Sequence, residues 1–131
     1  MNKVQLGNSR FLYTKQKSSE VDLSKASSVV DEYISLSRQV EAVDKKLVVQ
    51  VSGDHVLIGR EIAGYPTELS DGLYFVDQNF QEVFEMVSPK KSLNFNDLLE
   101  FVAQLENVES KKLFRFIFDT TNFDAPVLQF K

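Results

Sequence analysis

Cysteine is missing from this chain altogether, which excludes disulfides, thiolate nucleophiles, zinc ribbons and iron–sulfur clusters. Histidine is nearly missing. With His55 alone, every catalytic triad, two-histidine metal site and histidine relay lacks a member, and a lone histidine beside a turn reads as a solvated loop residue. Long apolar runs are absent as well. The longest hold about four residues, such as Leu73 to Val76, against the ~20 that span a bilayer. The opening MNKVQLGNSRFLY has a lysine but no apolar stretch behind it, so no secretory signal is expected. Gly53, Gly59, Gly64 and Gly72 are scattered, and none sits at a strand–glycine–helix junction that would cradle phosphate. These absences predict a cytoplasmic protein with no catalytic residues, no metal site, no cofactor and no membrane contact.

The 131 residues fit one domain, 1–131, able to bury about two-thirds of its unfolded surface without staples. The net charge of −4 is unevenly spread. Residues 1–60 hold nine Lys/Arg and seven Asp/Glu, whereas residues 61–131 hold six and twelve. Between Glu61 and Glu109 ten carboxylates face two lysines. Phenylalanine is skewed the same way, with one of eleven, Phe11, before residue 75.

Residues 1–23 read as a loosely attached N-terminal hairpin, turning at Gly7-Asn8, or as an extended segment. From Ser24 the period becomes helical, with Ala26, Val29, Tyr33, Leu36, Val40 and Val43 on one stripe. LVVQV (Leu47 to Val51) and HVLIGREI (His55 to Ile62) then predict a hairpin turning at Ser52-Gly53-Asp54. LYFVD and QEVFEMV predict a second, turning at Gln78-Asn79-Phe80. Asn94 and Asp97 cap a second helix with Leu93 and Leu98 as its staple, and strands KLFRFIFD and VLQF follow. The expected class is α+β: a mainly antiparallel sheet of about six strands, order α-β-β-β-β-α-β-β, with two amphipathic helices packed on it.

Phe114, Phe116 and Phe118 alternate, so in a strand they share one face. KLFRFI matches the lysine, inner aromatics and branched aliphatic of the RNA-recognition strand signature. Leu113 and Arg115 stand where that signature needs small residues, and so acidic a domain forgoes the phosphate attraction that drives such binding. The three rings are therefore expected to be core, with no nucleic acid as partner. DTTNFD (Asp119 to Asp124) lacks the ligand density of a calcium loop and reads as a turn. Glu82 and Glu85 fall on opposite strand faces, which argues against an acid/base pair.

The long connection IAGYPTELSDGLY, residues 62–74, gathers tyrosines and carboxylates of the kind interfaces use. Tyr65, Glu68, Asp71, Tyr74, Asp77 and Glu82 are the expected partner-binding residues. They predict a small acidic binding protein, not an enzyme, that occludes a basic partner as an immunity protein occludes a nuclease toxin, acting as a monomer or weak homodimer. The alternative is a pocket protein with an aromatic-lined cavity for a small molecule, with or without catalysis. In size and acidity the chain is also similar to the small secretion chaperones, though their helix between the early strands is missing and two extra strands follow the last helix.

Overall fold

The structure, a computed structural model, describes residues 2–87, 113–119 and 122–131, together with Asp97, Glu100, Phe101 and Gln104. Its elements are β1 (Asn2–Lys17), α1 (Leu23–Leu36), β2 (Val40–Ala42), β3 (Lys46–Ser52), β4 (His55–Gly64), β5 (Leu73–Val87), β6 (Phe114–Asp119) and β7 (Asn122–Phe130). The strands run β1-β5-β7-β6-β3-β4-β2, and β1 pairs with β4 as well. That second pairing closes six strands into an antiparallel barrel and leaves β2 as an extra strand on β4. The α+β sheet carrying two helices is thus replaced by a closed barrel, and α1 is the one continuous helix among the described residues. The expected second helix, from Asn94, lies for the most part outside them.

Closure depends on the segment expected to be loose. Asn2 to Thr14 pair with β5 from Glu85 to Leu73, and Arg10 to Lys17 pair with β4 from Ile62 to His55. No turn forms at Gly7-Asn8, because β1 finds a partner along its whole length. Gly59 permits this approach: a Cβ there would sit 1.8 Å from the Leu12 carbonyl oxygen.

Two further expectations are corrected. The helical stripe ends at Leu36, where Ser37 turns extended, and Val40–Ala42 instead joins the end of β4. Valines suit both the helical spacing and a sheet edge, and the edge on β4 decides. Gln78-Asn79-Phe80 does not reverse the chain either: β5 runs through it, with an irregularity at Gln81, whose φ is 57°. The hairpin of β3 and β4 forms as expected around Gly53, at φ 63°.

The outer face of the barrel is apolar. Leu47 and Val49 of β3, Val56 and Ile58 of β4, Phe114, Phe116 and Phe118 of β6, and Leu128 and Phe130 of β7 form one buried cluster with Ala26 of α1, and Phe101 packs against it. The three alternating phenylalanines are therefore core. Leu12, Val30, Val40, Ile62 and Leu73 form a second cluster nearby. Asp22 caps α1 by accepting from the Lys25 amide at 3.0 Å. Arg60 of β4 fastens the helix through both oxygens of Asp31, at 2.5 and 3.1 Å.

Candidate functional site

The inner face is mixed: Phe11 and Val48 are buried on it, in register with Glu61 and beside Gln50, and a set of polar side chains lies among them. Gln50 of β3 and Gln78 of β5 stand three strands apart whichever way the ring is followed, yet Gln78 Nε2 donates to Gln50 Oε1 at 3.2 Å. They meet across the lumen. Register adds a row along the wall: Glu85 pairs with Gln129, Gln129 with Arg115, and Arg115 with Gln50. Side-chain bonds follow it. Gln129 Nε2 donates to Glu85 at 2.9 Å, and Arg115 Nη1 donates to Gln129 Oε1 at 3.0 Å. From β4, Glu61 accepts from Arg115 Nη2 at 3.0 Å, and the Phe80 ring lies 5.0 Å from the guanidinium.

Arg115 is only 1% exposed. Burial pulls its guanidinium below the ordinary arginine value, while the hydrogen bond and charge of Glu61 push it back up. Six-stranded barrels are narrower than the eight-stranded ones whose interiors side chains just fill. The row therefore fills the lumen rather than lining a large cavity. Among the described residues, two buried side-chain atoms of this face have no partner: Gln78 Oε1 and Arg115 Nε.

The lumen reaches the surface where β1 parts from β4, beyond the Arg10–Ile62 pair. A cleft of about 600 Å³ opens there, lined by Asn8, Ser9 and Arg10, by Glu61, and by Gln78 and its neighbours on β5. Arg10 forms one wall. It donates to both oxygens of Asp77, at 2.6 and 3.1 Å, and to the Gly64 carbonyl at 2.6 Å. The forked bond holds Asp77 below its ordinary carboxylate value and raises Arg10 in turn. Each of the Arg10 nitrogens thus has an acceptor already, while Glu61 and Gln78 line the cleft beside it.

The six residues expected to bind a partner are dispersed. Tyr65 and Asp77 meet around Arg10, whose guanidinium lies 5.0 Å from the Tyr65 ring. Tyr74 stacks on Tyr13 at 5.7 Å, beneath Lys15. Glu82 faces Lys3 at 3.8 Å. Glu68 and Asp71 stay on the exposed loop, which is braced where the Glu68 carbonyl accepts from Tyr33 and where Gln39 bonds Thr67 twice. Ion pairs thereby engage part of the acidic stretch. His55 opens β4 with Nδ1 2.8 Å from Asp54.

Arg10, Arg115, Gln129, Gln50 and Gln78 were not singled out as site residues from the sequence. The available signal was a lone polar residue in each of several apolar strands: Gln50 in LVVQV, Arg115 in FRFIF, Gln129 in VLQF.

No protein-family model matches the chain, and no curated protein matches it. Among solved structures it is similar to one described as the crystal structure of a hydrolase from Listeria innocua, at 11% identity and a TM-score of 0.48, over 98% of this chain and 89% of that one. So distant a likeness carries no argument about activity. Among the described residues, no helix is long and apolar enough to cross a membrane.

Proposed function

We propose that the chain is a binding protein for a small polar molecule, received in the cleft between β1, β4 and β5. One observation carries this reading: Gln78, whose buried Oε1 lacks a partner among the described residues, lines an open cleft, and Glu61 of the same lining holds Arg115, whose buried Nε lacks one as well. Native interiors pair almost all such atoms, and an exception calls for an explanation. Glu61 and Gln78 supply the acceptors that would orient a ligand, as a few placed polar groups do in ordinary sites. The test is a nuclear magnetic resonance titration of the whole chain with small polar fragments. The backbone amides of Asn8, Ser9, Val43, Ile62 and Asn79 should move together. A set of fragments that moves none of them sinks the reading.

A second reading, occlusion of a basic protein partner, draws support from the braced loop, whose hydrogen bonds hold exposed Tyr65, Glu68 and Asp71 in place. Association with such a partner would slow as salt shortens the Debye length from about 30 Å at 0.01 M to about 10 Å at 0.1 M. Glu68→Lys with Asp71→Lys should slow it further, whereas Glu20→Lys with Glu41→Lys should not. Equal effects from the two double variants would remove the loop from the interface.

A further inference from the structure

The charge and valence of the two unpartnered atoms narrow the ligand class, given the cleft as a ligand site. Gln78 is bonded to Gln50, and Arg115 is the cross-strand partner of the same Gln50. Cross-strand partners stand about 5 Å apart at Cβ, so the missing donor and the missing acceptor belong to one locality. Arg115 also holds Glu61, which lines the cleft. We infer that the inner end of the cleft takes a neutral head group with a donor and an acceptor on the same or neighbouring atoms, a hydroxyl or a carboxamide, donating to Gln78 Oε1 and accepting from Arg115 Nε.

The charged alternatives each fail at one of the two atoms. An ammonium offers donors only, so it leaves Arg115 Nε unmet and approaches a guanidinium. A carboxylate offers acceptors only, leaves Gln78 Oε1 unmet, and approaches Glu61 and Glu85. Asp77 is matched by Arg10 and Glu61 by Arg115, while Glu85 is held by the neutral Gln129 amide. Phe80, stacked on the Arg115 guanidinium, provides an apolar wall for the carbon skeleton of such a head group.

Four probes of similar size test this on the full chain: acetamide, ethylene glycol, methylammonium and acetate, each followed through the Arg115 Nε–H resonance, the Gln78 side-chain amide and the cleft backbone amides. Acetamide and ethylene glycol should shift both side-chain signals, and methylammonium and acetate should not. Gln78→Met, of similar length but without the acceptor, should weaken the acetamide response at Arg115 Nε–H at least tenfold. If that variant does not fold, the ranking of the four probes on the unaltered chain decides. A response to the charged probes in place of the neutral ones overturns the inference and leaves the cleft a ligand site of another class. Cleft amides that move while Arg115 Nε–H stays fixed overturn it too, because the two inner atoms then share a water only. Silence throughout the cleft overturns both this inference and the small-ligand reading on which it rests.

Discussion

The wall formed by β5, β7, β6 and β3 carries two neighbouring rows of side chains that differ by one residue along each strand and by everything in chemistry. Phe84, Phe130 and Phe114 are register partners on the outer face, with rings stacked at 5.6 and 6.4 Å. Glu85, Gln129, Arg115 and Gln50 form the next row, on the inner face. Most small barrels would be expected to keep their apolar side chains within. Here the larger apolar side faces α1 and Phe101, and a hydrogen-bonded network shares the lumen with Phe11 and Val48. The outer row is stabilised by area removed from water, which tolerates changes of shape better than changes of volume. The inner row is held by partners, and each missing partner exposes a penalty.

The largest expected effect tests the outer row. Phe116→Ala empties a fully buried site and should lower stability by about 3–5 kcal/mol, measured by urea unfolding. A loss below about 1 kcal/mol would mean that the ring does not hold the outer cluster together. The inner row should respond in a different way. Arg115→Met alone leaves Glu61 without its cation and should cost about 3 kcal/mol. Adding Glu61→Leu should restore much of that loss, because a buried pair replaced by apolar side chains is often neutral. A double variant as unstable as the sum of its parts would show that the network acts through more than this pair.

A smaller effect belongs to the rim. Asp77 titrates below its ordinary carboxylate value of 3.8 because Arg10 bonds its charged form. A carboxylate with a lowered folded value adds stability above the unfolded value and loses it as pH falls through the folded one. Acid unfolding should therefore begin at higher pH in Arg10→Gln, and Asp77→Asn should flatten the acid limb between pH 4 and the onset of unfolding. Identical acid limbs for the two variants and the original chain would remove the pair from the balance. Smallest of all, His55→Ala should change stability by no more than about 0.5 kcal/mol, as befits a partly exposed side chain paired with its sequence neighbour Asp54.

The hairpin of β3 and β4, the burial of Phe114, Phe116 and Phe118, and the strands β6 and β7 were legible, since each rests on alternation and local turn chemistry. Closure was not. It depends on β1, whose polar sequence NKVQLGNSR gives little apolar alternation and whose partners are supplied by distant strands. Arg115 was read as a misfit in a base-stacking signature, although a polar residue amid buried rings also marks a second, polar face. Tyr65 and Asp77, expected to bind a protein partner, both meet Arg10, which cannot be placed while β1 is read as a loose segment.

The pairing of β1 with both β4 and β5 has a consequence for the order of events in folding. The β3–β4 and β6–β7 hairpins are local and can form early, whereas the ring shuts only when the first strand reaches partners far along the chain. Such contacts require loop entropy to be lost before they yield any stabilisation, which slows folding. Until then β4 and β5 each present an unfilled edge, the kind of surface on which chains add to one another. Gly59 sits at that late seam, where a single methyl group would collide with the Leu12 carbonyl. Gly59→Ala should thus act less as a local strain than as a delay in shutting the ring, seen as slower refolding and as aggregation that rises with protein concentration.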